Sequence, residues 1–184
     1  MQQNTHTFGR NLLRYAAIAV ALASPALMAQ SEDRIGISGS FTMPMGSLKD
    51  VAGPGFSLGA SYEMPLFEGF VQRGALEFTV FGTKSEDLYY FGSVDYSVKA
   101  FSCHYDLNYY LGSSLYALGG LSYHSYTVTV KAGGHSASTD PEDIDTKVGL
   151  NIGAGYNVTN NIGLEFKYII AADPWVQLSA RWRF

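Results

Sequence analysis

The stretch that decides the fold is Trp175-Val-Gln-Leu-Ser-Ala-Arg-Trp-Arg-Phe184. Apolar residues take every second position in it: Val176, Leu178, Ala180, Trp182 and Phe184. Polar residues fill the places between them: Gln177, Ser179, Arg181 and Arg183. Because successive side chains of a strand point to opposite faces, the pattern predicts a β-strand with one apolar and one polar face.

The same alternation recurs along the chain and predicts eight strands. They cover about 34–43, 55–64, about 73–82, 93–109, 114–130, 146–157, 162–170 and the terminal stretch. On the polar faces small residues mix with charges of both signs, and the apolar faces are rich in aromatics. This polarity favours a barrel with lipid outside and a polar interior. The alternative is a soluble lipocalin-like barrel, whose polarity is reversed.

The beginning of the chain has the features of a secretory signal peptide. Residues 1–29 carry Arg10 and Arg14, no acidic residue, and an apolar run from Tyr15 to Ala23 that is shorter than the roughly 20 residues of a spanning helix. We expect cleavage after Ala29, which leaves 30–184 as one domain. That domain holds no long apolar run, so a helical membrane protein is excluded.

By strand number, length and both terminal features, 30–184 resembles the small eight-stranded bacterial outer-membrane proteins of the OmpA-domain, OmpX and Opa type. The resemblance implies an all-β, eight-stranded antiparallel up-and-down transmembrane β-barrel in the outer membrane of a Gram-negative cell. Trp182 and Phe184 match the terminal aromatic pattern of such proteins, which the barrel-assembly machinery recognises. We expect contacts with outer-membrane lipids and lipopolysaccharide, and a monomer.

Charge and cysteine content narrow the partners further. Ten of the 12 basic residues and all 16 acidic residues follow residue 29, so the domain is acidic and nucleic acid is not an expected partner. The one cysteine, Cys103, cannot form an internal disulfide. We expect no cofactor.

The links between strands predict the orientation. The links after the even-numbered strands are mostly short: 65–72, 110–113 and 158–161. The links after the odd-numbered strands are 44–54, 83–92, 131–145 and 171–174, and all of them except 171–174 are long. Short periplasmic turns and long external loops are the rule for such barrels. Possible loop contacts are aromatic or acidic: Tyr89, Tyr90, Phe91, Asp140, Glu142, Asp143 and Asp145.

Strands four and five change phase near residues 100 and 124. We interpret this as a hairpin that leaves the membrane and continues outside through paired bulges.

Ten charged residues lie on the polar faces: Arg34, Glu63, Arg73, Glu77, Asp106, Lys147, Glu165, Lys167, Arg181 and Arg183. Eight strands leave room for little beyond side chains, so we expect ion pairs to fill the lumen. This favours a structural or surface-interaction (adhesin-like) role through the loops. A porin-like conduit for ions or apolar molecules is the alternative.

Catalytic and metal sites are not predicted. His124 and Ser125 are adjacent and therefore face opposite ways, unlike the histidine and serine of barrels that resemble lipid A deacylases. His104 and Asp106 share the inward face, but no nucleophile is evident beside them. The carboxylates of the 131–145 loop lack a full calcium-binding pattern.

Overall fold

The computed structural model describes residues 33–67, 69–88, 92–132 and 143–184. They form eight strands: β1 (Arg34–Pro44), β2 (Ala52–Phe67), β3 (Phe70–Leu88), β4 (Gly92–Tyr110), β5 (Leu115–Ala132), β6 (Asp143–Asn157), β7 (Ile162–Ile170) and β8 (Trp175–Arg183). Each strand pairs antiparallel with the next, and β8 pairs with β1 to close the barrel. The predicted up-and-down barrel is confirmed. The signal segment 1–29 lies outside the described residues, so the domain boundary stays a prediction.

The two ends of the barrel differ. We call the end with Arg34, Gly69, Phe184 and the links 111–114 and 158–161 the terminal end, and the opposite one the loop end. At the loop end a four-residue helix, α1 (Leu48–Val51), lies between β1 and β2. No helix in the part of the chain that the structure describes is long and apolar enough to cross a membrane.

The outer surface is an apolar band made by the alternation that the sequence shows. On β1 the outward side chains from Ile35 to Met43 are exposed, and on β8 Leu178 and Trp182 are exposed in the same way. Nine strand residues extend about 26 Å, or about 20 Å along the barrel axis at the usual tilt. That height is somewhat below the apolar band of about 25 Å that is typical of outer-membrane barrels.

The predicted phase switch in strands four and five is wrong. β4 and β5 pair in one continuous register from Val94↔Ala132 to Tyr110↔Tyr116. Even-numbered residues face inward on both sides of residues 100 and 124, as buried Val98 and Tyr126 show. The inward face itself turns from polar to apolar there, and the sequence pattern alone cannot distinguish this change from a change of face.

The irregularities lie in the neighbouring strands instead. The β2–β3 register shifts between Gly53 and Gly55, and the β3–β4 register shifts between Val80 and Lys84. Each shift inserts one extra residue in one strand, as a β-bulge does, and bends the sheet at the loop end.

Four strands extend beyond the others at the loop end. β3 to β6 contain 19, 19, 18 and 15 residues, whereas β7 and β8 contain 9 each. The β3–β4 ladder continues to Leu88↔Gly92, although β2 leaves β3 at Ala52↔Thr83. On the other side β7 leaves β6 at Leu150↔Ile170. We call residues 84–88, 92–97, 127–132 and 143–149 the extension.

Phe184 connects the two closing strands, and its removal should impair assembly. The backbone N–H of Phe184 donates to the carbonyl of Ile35 at 2.8 Å, and its ring stacks on Trp182 at 6.2 Å between centroids. Deletion of Phe184 should therefore lower the amount of heat-modifiable protein in the outer-membrane fraction. Phe166→Ala, which removes another lipid-facing ring from β7, is the control. Equal amounts of both variants would contradict a special role for the terminal aromatic residue.

Candidate functional site

A network of ion pairs fills the barrel interior toward the terminal end. Arg73 is its centre: its guanidinium donates to Glu165 at 2.6 and 2.9 Å and to Asp106 at 2.7 Å. Lys167 donates to the same Asp106 oxygen at 2.9 Å. Arg181 bridges Glu63 and the hydroxyl of Tyr116, a hydroxyl that itself donates to Glu165 at 2.9 Å.

The buried charges of the described residues balance. Four are basic and four are acidic: Arg73, Lys167, Arg181, Arg183, Glu63, Glu77, Asp106 and Glu165. A buried charge is tolerated only when it is paired and hydrogen-bonded. Equal numbers let every carboxylate find a cation or a strong donor; Glu77, for example, accepts from Gln177 at 2.6 Å.

Two further predicted members lie outside this balance. Arg34 is partly exposed at the terminal end, where it donates to the carbonyl of Asn160 at 3.1 Å. Lys147 is partly exposed at the loop end, where it pairs with Asp173 and, at 3.0 Å, with Asp145. Of the ten charged residues that the sequence places on the polar faces, these two therefore lie at the rims, because strand alternation does not say how near a residue lies to a rim.

Glycines make room for the charged side chains. Six of the eight buried charges lie directly across the ladder from a glycine: Gly36↔Arg183, Gly59↔Glu77, Gly120↔Asp106, Gly153↔Lys167, Gly155↔Glu165 and Gly163↔Arg181. A Cβ atom at Gly155 would lie 2.0 Å from the Tyr116 ring, and one at Gly153 would lie 2.2 Å from the carbonyl oxygen of Phe166. The narrow lumen can hold these long charged side chains because the glycines that face them across the ladder have no side chains.

Above the network lies a histidine–serine cluster that the sequence analysis missed. His124 shares hydrogen bonds of 2.8 Å with both Ser102 and Ser122. These residues face one another across the β4–β5 ladder, in the pairs Ser102↔His124 and His104↔Ser122. The strand register was the missing information. The His124 and Ser102 side chains have no exposed surface, so the cluster lies within the interior polar layer.

The loop end of the lumen is closed by an apolar cluster that we call the seal. It consists of Leu48, Ala52, Phe81, Val98, Ala100, Tyr126, Ile169 and Trp175. Trp175 lies at its centre, with ring centroids 6.0 Å from Phe81, 6.0 Å from Tyr126 and 4.5 Å from His124. Six strands and α1 contribute to the seal, which separates the polar lumen from the loop end.

Polar contacts at the loop end fasten α1 over the seal. Ser47 donates to Asp173 at 2.5 Å, and the N–H of Met45 donates to the carbonyl of Pro174 at 2.8 Å. Burial acts to raise the pKa of Asp173, but the hydrogen bonds from Lys147 and Ser47, with the charge of Lys147, outweigh it and hold that pKa below its usual value. Asp173 therefore stays ionised and keeps both partners at neutral pH.

The other predicted residues are placed as follows. Trp182 and Phe184 face outward at the terminal end and are exposed. Asp145 is exposed beside Lys147. Tyr89, Tyr90, Phe91, Asp140 and Glu142 lie outside the described residues, as does the side chain of Asp143.

The comparisons agree with this geometry. The model of the outer membrane protein beta-barrel domain family matches residues 15–181. The chain therefore belongs to this family and is an outer-membrane β-barrel protein. A search of the curated proteins found no match.

Solved structures show the same fold. Neisserial surface protein A is 19% identical with a TM-score of 0.52, over 83% of this chain and 96% of that one. A de novo designed transmembrane β-barrel is 10% identical with a TM-score of 0.52, over 85% and 100%. Ail, the attachment invasion locus protein of Yersinia pestis, is 15% identical with a TM-score of 0.45, over 83% and 96%. At these identities the likeness concerns the fold alone.

Removal of the central cation should destabilise the barrel strongly. Arg73→Met leaves Glu165 without its bidentate donor and takes from Asp106 one of its cations, so the free energy of unfolding should fall by about 3–5 kcal/mol. Arg34→Met at the rim should cost less than about 1 kcal/mol. Urea unfolding in lipid vesicles measures both values. A similar loss for the two variants would show that the network does not govern stability.

Proposed function

We propose that this outer-membrane barrel is a non-catalytic surface-interaction protein, adhesin-like in its role, that presents the extension to the cell exterior. The supporting observation is the pair of open sheet edges at the loop end. In the described residues, 84–88 have a strand partner only in β4, and 143–149 have one only in β5.

Such edges suit an extended partner. An unpaired edge offers a row of backbone donors and acceptors to which another chain can add as a further strand. The rigid barrel below fixes the position of these edges, as is usual for binding segments carried on a scaffold. We therefore expect the partner to contribute an extended backbone segment.

The charge of the same region indicates the chemistry of the partner. Residues 83–96 and 131–147 together contain seven carboxylates and three lysines. A basic partner is favoured by this excess, and its association should weaken with salt. Lipopolysaccharide and other outer-membrane lipids would surround the apolar band, and the barrel-assembly machinery would act on the terminal strand during biogenesis.

Fold likeness alone does not carry this proposal, because a designed barrel shares the fold equally well. The lumen also argues for a surface role, since its described side chains are closely packed and ion-paired. Catalysis would need an accessible nucleophile, and the serines beside His124 are buried.

Thiol labelling tests which end faces outward. Single cysteines at Ser85, Ser97, Ser136 and Ser138, in a background without Cys103, should react on intact cells with a membrane-impermeant reagent. Cysteines at Ser113 or Asn160 should react only after the outer membrane is breached. The reverse pattern would contradict the proposal.

An adherence assay tests the role itself. In the matched variant, one Asn-Gly turn replaces residues 86–94 and another replaces residues 129–142. Each turn joins two residues that face each other in the sheet: Ser85↔Asp95 and Val128↔Asp143. Cells with the full barrel should adhere to cultured epithelial cells more than cells with the trimmed barrel, and added salt should reduce the difference. Both barrels must be equally abundant and heat-modifiable. Equal adherence would overturn the role of the removed part of the extension, which includes the β3 edge at 86–88; the variant keeps the β6 edge at 143–149.

A further inference from the structure

The two ends of the lumen differ in their access to water. At the terminal end a half-open cavity of about 400 Å³ lies at the rim and is lined by polar groups of Arg34, Asn160 and Asn161; the buried Arg183 is the network residue that it touches. At the loop end the network is separated from solvent by the seal, whose Trp175, Val98 and Ile169 have no exposed surface.

The two layers also differ in what an entering ion would meet. The network offers carboxylates, guanidinium groups and hydroxyls, which can replace the hydration of an ion and exchange partners with it. Around Trp175 and Phe81 the lining is largely hydrocarbon and aromatic. An ion that passes there must lose its hydration without replacement, which is how hydrophobic constrictions block pores.

We propose that the seal is the permeability barrier of this barrel and that residues 45–51, which carry α1, form its lid. The ion-paired lumen beneath stays closely packed, and the seal is the layer that ions cannot cross. This inference does not depend on the proposed surface role, because the extension enters it only through Lys84 and Lys147, whose contacts within this chain hold the lid and need no external partner.

The lid is held by a few contacts at its margin. Leu48 is the buried side chain that α1 inserts into the seal. Besides the bonds of Ser47 and Met45 to 173–174, Lys84 donates to the carbonyl of Lys49 at 2.6 Å. Since Lys147 donates to the same Asp173 that holds Ser47, one carboxylate connects the lid to β6 and to the β7–β8 link.

Planar-bilayer recording in KCl, with the folded chain in phosphatidylcholine, tests the proposal. The unaltered protein should show no stable channels. Trp175→Ala combined with Phe81→Ala should raise the integrated current at least about tenfold, equivalent to lowering the barrier by about 1.4 kcal/mol. Leu178→Ala removes a lipid-facing side chain from the same strand and should leave the current unchanged.

Two further variants separate the layers. Leu48→Ser keeps both large rings and should also raise the current. If the double variant shows no heat-modifiable band and is therefore not folded, Leu48→Ser takes its place in the test. Lys167→Met alters the network beneath an intact seal and should remain closed. Stable channels in the unaltered protein, closed channels in folded seal variants, or opening by Lys167→Met alone would each overturn the proposal.

Discussion

The structure depends on the pairing of charges in a lumen with little free space. An eight-stranded barrel encloses room for side chains and little water, and each unpaired ion there would cost several kcal/mol. The described interior meets this constraint with four basic and four acidic side chains around Arg73. Lys147 and Arg34, which would upset the balance, lie at the rims.

The same constraint explains the glycine content of the strands. A long charged side chain can lie across the barrel wall only where the facing residue is small, and six of the eight charges face a glycine. Tyr116 also depends on a glycine, since its ring occupies the space beside Gly155. The Tyr116 hydroxyl forms hydrogen bonds with both Glu165 and Arg181. The seal then completes the interior where the charges end. Polar core, apolar seal and outer extension are thus three successive layers of one set of strands.

Strand alternation was sufficient to predict the fold but not the layers. The parity of Val176 to Phe184 correctly predicted the lipid face of β8, and five other strands followed the same logic. Parity also places Trp175 on the face of Gln177 and Arg181, and Phe81 on the face of Glu77, so the seal was encoded but not recognised. On β4 and β5 the inward residues become apolar toward the loop end, and the sequence pattern does not distinguish this change from a change of face. Ser102 beside His124 required the strand register, which a single strand pattern does not contain.

The unfolding free energy of glycine variants tests the central claim most directly. Gly155→Ala would place a methyl group in the space of the Tyr116 ring, and Gly153→Ala would press one against the β7 backbone, so each should lose about 1–3 kcal/mol. Gly39→Ala, which faces lipid with no atom within 4 Å, should be nearly neutral. Equal effects at the three positions, measured by urea unfolding in lipid vesicles, would contradict the account of a lumen whose charges depend on facing glycines.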